Sequence, residues 1–204
     1  EGMTGWVQTI PQGMPPGSDV GCMSVFGYDP RKYYTGRAPL EAAAQGIELK
    51  KGDVAFRCNT VTVEDGRMAD YAAGHIETTD AAELIRAVDQ RLGKDGVRFY
   101  PGVSYRHLAI VSDRQLAEAQ CTPPHDISGQ PIDPHLPTGA GSERLRRLME
   151  ASIEILKAHP VTKRRLGEGK RVATMLWFWG QGTAAKFPSF QEAYGKRAAC
   201  ISAV

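Results

Sequence analysis

Residues 52–63 are Gly-Asp-Val-Ala-Phe-Arg-Cys-Asn-Thr-Val-Thr-Val, and this run predicts a β-strand that begins after Gly52-Asp53 and ends near Val63. Its β-branched and aromatic side chains suit a pleated, largely buried strand. The Asp65-Gly66 pair that follows is typical of a hairpin turn, so a second strand should extend to about Ala72. Within the first strand, Arg57 and Asn59 should share one face, because side chains two residues apart point the same way.

The segments after this hairpin complete the order strand–strand–helix–strand–strand. Apolar side chains at helical spacing predict a helix over 79–92, and two short strands should follow at 97–100 and 105–111. This order indicates an α+β module with mainly antiparallel pairing. Residues 121–141 are rich in proline and glycine and predict a long loop, and Ser142 should begin a long helix that ends near Ala158.

The two ends of the chain have a different character. Residues 172–179 are almost entirely apolar and predict a buried central strand, which Gly180-Gln181-Gly182 should end. A short helix over 187–194 and a strand over 198–204 would then form a parallel β-loop-α-β unit. We therefore expect a mixed fold, α/β and α+β, with an α+β domain over 49–170 inserted between α/β parts at 1–48 and 171–204.

Composition excludes several classes of protein. The chain has 204 residues and a net charge of +2, with no basic block, so neither nucleic acid nor an anionic membrane surface is an expected partner. It contains no apolar run of the ~20 residues that a membrane span requires, and no signal peptide pattern. Its four cysteines form no CxxC pair, which suits free thiols in the cytoplasm. Because the first residue is not methionine, we expect a piece of a longer protein. The oligomeric state cannot be deduced from the sequence.

Residues 15–20, Pro-Pro-Gly-Ser-Asp-Val, place Ser18 at the predicted start of a helix. Serine and aspartate are both common helix N-caps, and an ordinary capping role is one interpretation of Ser18. The other is a phosphate site, because the free N–H groups and the positive dipole end of a helix attract anions. These six residues alone favour the capping role.

Several basic side chains are candidates for binding an anion. Arg37 follows a Thr-Gly turn and is either a surface residue or a bidentate phosphate ligand. Arg57 lies within an apolar strand, where a structural ion pair and an anion contact are equally good explanations. Arg106 has the same ambiguity at a strand start. The basic segment 163–171 is expected to be a solvated loop from which one side chain, such as Arg165, could point inward. Together they suit a small polyanion such as a sugar-acid phosphate.

No complete catalytic or metal-binding motif can be assembled from the residues alone. The five histidines form no HxxxH or HExxH pair. His125 and His135 lie in the predicted long loop and are either surface residues or suppliers of a ligand or proton. Spacing therefore gives no Ser-His-Asp triad and no zinc site.

Several motifs taken together resemble those of the archaeal-type 2,3-bisphosphoglycerate-independent phosphoglycerate mutases of the alkaline phosphatase superfamily. The resemblance covers nearly the whole chain. It is found at residues 16–20, 27–30, 34–42, 52–59, 101–106, 159–161 and 177–182.

This resemblance implies a metal-dependent enzyme of glycolysis and gluconeogenesis that interconverts 3- and 2-phosphoglycerate through a phosphoserine. Ser18 would accept the phosphoryl group and bind one of two divalent metals (Mn, Zn or Mg), with no need for 2,3-bisphosphoglycerate. Arg37, Arg57, Arg106 and Arg165 would hold the phosphoglycerate. Residues 49–170 would be an inserted lid-like domain, and 1–48 and 171–204 would be parts of an alkaline-phosphatase-like core.

The sequence also departs from the family pattern. The acidic and histidine motifs that hold the two metals are absent, so the remaining ligands are expected outside this chain, and the piece alone should be inactive. Cys22 stands where the family usually has histidine, and Thr162 where asparagine is common. Two alternatives therefore stay open: another phosphoryl-transfer enzyme of the superfamily acting on a different phosphometabolite, or a non-catalytic substrate-binding domain.

Overall fold

A computed structural model describes residues 2–199. The chain divides into two compact units. The larger unit is Thr35–Ala184, and the smaller one combines the chain up to Tyr34 with the chain from Ala185 onward. The predicted division into a core (1–48 and 171–204) and a lid (49–170) stays a prediction.

The described residues contain α-helices in both units and a single sheet in the larger one. In chain order the helices are α1 Ser18–Val25, α2 Pro30–Tyr33, α3 Arg37–Ala44, α4 Thr78–Leu92, α5 Ser142–Ala158, α6 Pro160–Gly167 and α7 Phe190–Tyr194. The strands are β1 Asp53–Glu64, β2 Arg67–Asp70, β3 Val97–Tyr100, β4 Arg106–Ser112 and β5 Met175–Gly182. None of the helices described is both long and apolar enough to cross a membrane.

The sheet is antiparallel throughout and is organised around β1. On one side β1 pairs with β4, which in turn pairs with β3. On its other side β1 pairs with β5 along most of its length, and the end of β1 also pairs with β2. The 52–63 prediction is confirmed, as is the hairpin, in which the left-handed backbone at Asp65 and Gly66 makes the tight turn. The mixed helix-and-sheet fold class is therefore confirmed.

The expected parallel pairing of the 172–179 strand is wrong. The observed β5 pairs antiparallel with β1, which places Trp179 opposite Arg57. The strand does not end at Gly180-Gln181-Gly182 as predicted. Gly180 adopts φ +60°, the pairing with β1 shifts its register there, and the strand continues to Gly182. Most of the strand predicted at 198–204 lies outside the described residues, and Ala198 and Ala199 are not in a strand.

Helices cover both faces of the sheet. The predicted helices α4 and α5 are confirmed, and they bury one apolar stripe each against the face that includes Phe56 and Phe178. On the opposite face Ala38 and Ala42 of α3 pack against strand side chains such as Leu108. These small alanines let α3 lie close to the sheet, which brings the start of that helix near the middle of β1.

The segment predicted as a basic loop instead contains α6. Pro160 fits the first turn of a helix, where no N–H is needed, and His159 Nδ1 accepts a hydrogen bond from the Val161 N–H at 3.2 Å. Val161 and Arg165, four residues apart, are buried on one side of the helix. The high density of basic residues concealed this short amphipathic pattern.

The smaller unit contains α1, α2 and α7. Its aromatic side chains form a cluster in which the Tyr28 ring contacts Phe187 at 5.1 Å and Tyr33 at 5.9 Å between centroids. The predicted helix near 187–194 is confirmed in shorter form as α7, which begins at a capping box made by Ser189 and Glu192.

Candidate anion-binding site

Three of the four predicted arginines lie together on the α3 face of the sheet, in the larger unit. The register places Trp179 opposite Arg57 and Arg106 opposite Asn59, so these side chains emerge on the same face. Arg57 and Arg106 line a pocket of about 220 Å³, and Arg37 is joined to it by an ion pair with Glu41. Its lining residues are Glu41, Ala44, Gln45, Arg57, Val103 and Arg106.

Arg57 is the buried centre of this group, with only 5% of its surface exposed. Its Nε donates to Glu41 Oε2 at 3.0 Å, and its Cζ lies 4.3 Å from the centre of the Trp179 ring. Burial lowers the pKa of Arg57, the charge of Glu41 opposes that shift, and the positive charges of Arg37 and Arg106 add to it. No group among the described residues accepts a hydrogen bond from either terminal nitrogen of Arg57.

Arg37 is placed by a close contact between two glycine segments. At Gly36, whose φ is +139°, a Cβ would lie 2.1 Å from the Gln181 carbonyl oxygen, and at Gly182 a Cβ would lie 2.1 Å from the Thr35 carbonyl oxygen. Only glycine permits this approach of α3 to β5. Arg37 then follows as the first residue of α3, and its Nε donates to Glu41 Oε1 at 3.1 Å.

Arg106 is presented by a tight turn before β4. Ser104 adopts φ +53°, its Oγ donates to the Ile76 carbonyl at 2.7 Å, and the Gly102 N–H donates to Nδ1 of the buried His107 at 3.1 Å. The Arg106 guanidinium lies 5.6 Å from the Tyr105 ring and has no ion-pair partner among the described residues. Arg106 is exposed and lines the pocket.

Among the described residues, Glu41 is the one carboxylate that lines this pocket, and it is shared by Arg37 and Arg57. Three guanidinium groups and one carboxylate give a local charge of +2. Planar guanidinium groups with unused terminal N–H donors are well suited to bidentate binding of phosphate or carboxylate. The arrangement is thus a candidate site for a small anion.

Sequence reasoning did not single out Glu41 or Trp179. The Arg37-to-Glu41 spacing of four residues on a helix was a usable signal, since side chains at i and i+4 are neighbours. The partner of Arg57 required the β5 register, which the sequence did not supply. His125, from the predicted loop, lies next to this group, with its ring 5.2 Å from that of Trp179.

Arg165 does not line this pocket. Its side chain is 2% exposed, forms an ion pair with Glu77, and lies 3.4 Å from Asp80 Oδ2. It also donates two hydrogen bonds to the Arg171 carbonyl, at 3.2 and 3.1 Å. The Arg165 guanidinium thus connects α6 to the start of α4. Its predicted contact with the substrate stays a prediction.

Ser18 belongs to the smaller unit and begins α1. The N-cap is Gly17 and not Ser18, so the capping interpretation of Ser18 is wrong. Ser18 is exposed, and its hydroxyl makes no hydrogen bond within the described residues. Beside it, Asp19 Oδ2 accepts from the Tyr34 hydroxyl at 2.5 Å, and Asp19 Oδ1 accepts from the Val20 N–H.

The described residues do not by themselves fit a metal ion. Within residues 2–199, no three His, Cys, Asp or Glu side chains form a group that could hold one. The buried Cys58 is no substitute ligand, since burial raises the pKa of its thiol well above the ordinary value.

Comparison with known proteins gives consistent matches. A family model described as 2,3-bisphosphoglycerate-independent phosphoglycerate mutase matches residues 1–162. The protein of that name from Methanosarcina acetivorans is 54% identical over the whole chain, which covers 51% of it. A probable protein of that name from Geobacter sulfurreducens is 51% identical over the whole chain, which covers 52% of it. The solved cofactor-independent phosphoglycerate mutase of Thermoplasma acidophilum is 31% identical, with a TM-score of 0.65 over 84% of this chain and 48% of that one. The chain spans about half the length of the curated relatives it matches.

Proposed function

The chain belongs to the 2,3-bisphosphoglycerate-independent phosphoglycerate mutase family, and from that membership we propose that the whole protein interconverts 3- and 2-phosphoglycerate. The observation that supports this substrate is the Arg37–Arg57–Arg106 group with its single carboxylate, Glu41. Phosphoglycerate presents two anionic groups on three carbons, and a pocket of about 220 Å³ suits a molecule of that size. The terminal nitrogens of Arg57 and the free guanidinium of Arg106 would bind its oxygens.

In this proposal Ser18 is the nucleophile. Its Oγ forms a bond to phosphorus while the bond from phosphorus to the glycerate oxygen breaks, and the serine proton ends on the departing oxygen. In the return step the other glycerate hydroxyl forms a bond to phosphorus, the bond from phosphorus to Ser18 Oγ breaks, and the proton of that hydroxyl ends on the serine oxygen. The exposed hydroxyl at the start of α1 supports the role, because the helix N-terminus favours negative charge there.

Two divalent metals, Mn, Zn or Mg, are part of the proposal for the whole protein. Such ions lower the pKa of a bound hydroxyl. Ser18 would be this chain's contribution, and the other ligands would come from outside it. The names of the relatives state independence from 2,3-bisphosphoglycerate. The free thiols of Cys22, Cys58 and Cys121 are compatible with a cytoplasmic location.

The test compares Ser18→Ala with Ser24→Ala in the full-length protein. Ser24 lies on the same helix, and its hydroxyl donates to the Val20 carbonyl at 3.2 Å. We expect Ser18→Ala to abolish both mutase turnover and phosphoenzyme formation, and Ser24→Ala to keep both. Turnover that persists in Ser18→Ala would refute the phosphoserine step. A panel of other phosphoesters tests whether a different phosphometabolite is preferred.

A second candidate function is non-catalytic substrate binding by this chain alone. It is favoured by the placement of the three arginines within Thr35–Ala184, a unit that does not include Ser18. Calorimetry of the chain with 3-phosphoglycerate should then show binding without turnover. Arg57→Lys should weaken that binding, because lysine keeps the charge and loses the bidentate geometry.

A further inference from the structure

Arg57 is held between two consecutive residues of β5. Its guanidinium lies over the Trp179 ring, its register partner, and its aliphatic stem lies against Gly180, where a Cβ would be 3.5 Å from Arg57 Cδ. Trp179 is 7% exposed, so the contact is largely shielded from water. A desolvated cation over an indole face is attracted by the ring quadrupole.

The Trp179 ring is itself fixed in place. Its Nε1 donates to Asn59 Oδ1 at 3.0 Å, in a buried hydrogen bond. The Asn59 amide in turn donates to the Tyr71 carbonyl at 3.3 Å, and the His125 ring meets the indole edge-on at 5.2 Å. The indole therefore has a partner at its N–H and another at its ring.

We infer that Trp179, anchored by Asn59, is a positioning residue that fixes the guanidinium plane of Arg57 for anion binding. The single hydrogen bond from Nε to Glu41, whose side chain is 31% exposed, restrains the guanidinium plane at one point and leaves it free to tilt. The indole face removes that freedom, so both terminal nitrogens stay directed at the ligand. The inference rests on the anion site proposed above, and nothing in it requires Trp179 to touch the ligand.

The test uses NMR of the ¹⁵N,¹³C-labelled chain, with inorganic phosphate as the probe and chloride at equal ionic strength as its reference. In the wild type we expect the Arg57 Nε–H signal to show an upfield ring-current shift and slow side-chain rotation before any phosphate is added. Trp179→Phe keeps a ring face and should keep most of this signature. Trp179→Met should lose it and bind phosphate about five- to tenfold more weakly.

The matched control is Trp177→Phe. Trp177 is buried on the same strand and donates to the Thr122 carbonyl at 2.8 Å, but it does not stack on Arg57. Its replacement should leave the Arg57 signature and the phosphate affinity unchanged. Fluorinated tryptophans at position 179 form a second series that preserves shape and folding, and each added fluorine should weaken phosphate binding.

The outcomes separate the two proposals. An unchanged Arg57 signal in Trp179→Met, or a phosphate affinity that does not vary across the fluorinated series, would overturn the positioning role. If the wild-type chain shows the ordered Arg57 signature but its signals do not change on addition of phosphate, the proposed anion site is overturned. The ordering of the Arg57 guanidinium by Trp179 would still be supported.

Discussion

Replacing Glu41 with glutamine should make the stability of the larger unit depend on a bound anion. The Glu41 carboxylate accepts from Arg57 Nε at 3.0 Å and from Arg37 Nε at 3.1 Å. Glutamine keeps one acceptor oxygen but removes the charge. The site then holds Arg37, Arg57 and Arg106 with no carboxylate, and the local charge rises from +2 to +3.

The size of the effect follows from the geometry. Opposite charges about 4 Å apart interact by about 4 kcal/mol at an effective dielectric constant of about 20. The Glu41 side chain is 31% exposed, so water screens the pair, and removing the charge also removes part of its desolvation cost. We therefore expect the free energy of unfolding to fall by about 1–3 kcal/mol. Phosphate at about 100 times its Kd should restore about 2.7 kcal/mol, because it binds only the folded site.

The assay is urea unfolding in phosphate and in chloride at equal ionic strength, followed by tryptophan fluorescence in a Trp6→Phe background. The matched control is Glu168→Gln, which removes a 43% exposed carboxylate paired with Arg164 and Lys170. This control should change stability by no more than about 0.5 kcal/mol and show no preference for phosphate. Equal stability of Glu41→Gln in the two salts, or an equal gain from phosphate in the control, would contradict the proposed anion site.

Three further variants test other parts of the structure. Gly36→Ala should lower the free energy of unfolding by about 2–4 kcal/mol, because the new Cβ would lie 2.1 Å from a carbonyl oxygen. In the control Gly46→Ala the new Cβ meets no atom within 4 Å, and the loss should be about 1 kcal/mol. Equal losses in urea unfolding would contradict the close contact at Gly36. Burial lowers the pKa of His107 to about 3 from an ordinary 6.5, so the folded state resists protonation of this imidazole. The free energy of unfolding should therefore fall as the pH falls from about 6.5 towards 3, by about 1.4 kcal/mol per pH unit. His107→Asn keeps an acceptor for the Gly102 N–H and should remove that slope between pH 6.5 and 5, and a slope identical to wild type would show that His107 is not its source. Arg165→Lys should lose about 2–4 kcal/mol and leave phosphate affinity unchanged, whereas weaker phosphate binding by the folded variant in calorimetry would support the predicted substrate contact.

The elements that the sequence predicted correctly are those with a strong local signal. The run at 52–63, the Asp65-Gly66 turn and the apolar stripes of α4 and α5 each specify a conformation within a few residues. The pairing of β5 was mispredicted because an all-apolar strand is equally compatible with a parallel and an antiparallel neighbour. Its partner, β1, is more than a hundred residues away in sequence.

For the candidate site, the local sequence pattern identified the arginines that donate hydrogen bonds but not the side chains that contact them. The shared face of Arg57 and Asn59 followed from strand periodicity, and the register confirms it by placing Trp179 and Arg106 opposite them. Neither the stacking on Trp179 nor the bridging role of Glu41 could be deduced without that register. Contacts between distant segments depend on the tertiary fold and leave no periodic signal.

The two arginine groups of this chain differ in charge balance, as expected for a structural cluster and a candidate binding site. Around α6, the cations Arg164, Arg165 and Lys170 meet the anions Glu77, Asp80 and Glu168, so that group is neutral overall. Packing alone explains such a cluster, since each buried charge has a partner. In the other group, Glu41 pairs with Arg37 and Arg57, while Arg106 has no ion-pair partner among the described residues. Burial together with like-charge repulsion lowers the pKa of Arg57. Folding alone would favour a second carboxylate there, and none besides Glu41 lines the pocket in the part of the chain that the structure describes, so the remaining positive charge suits the proposed anionic ligand.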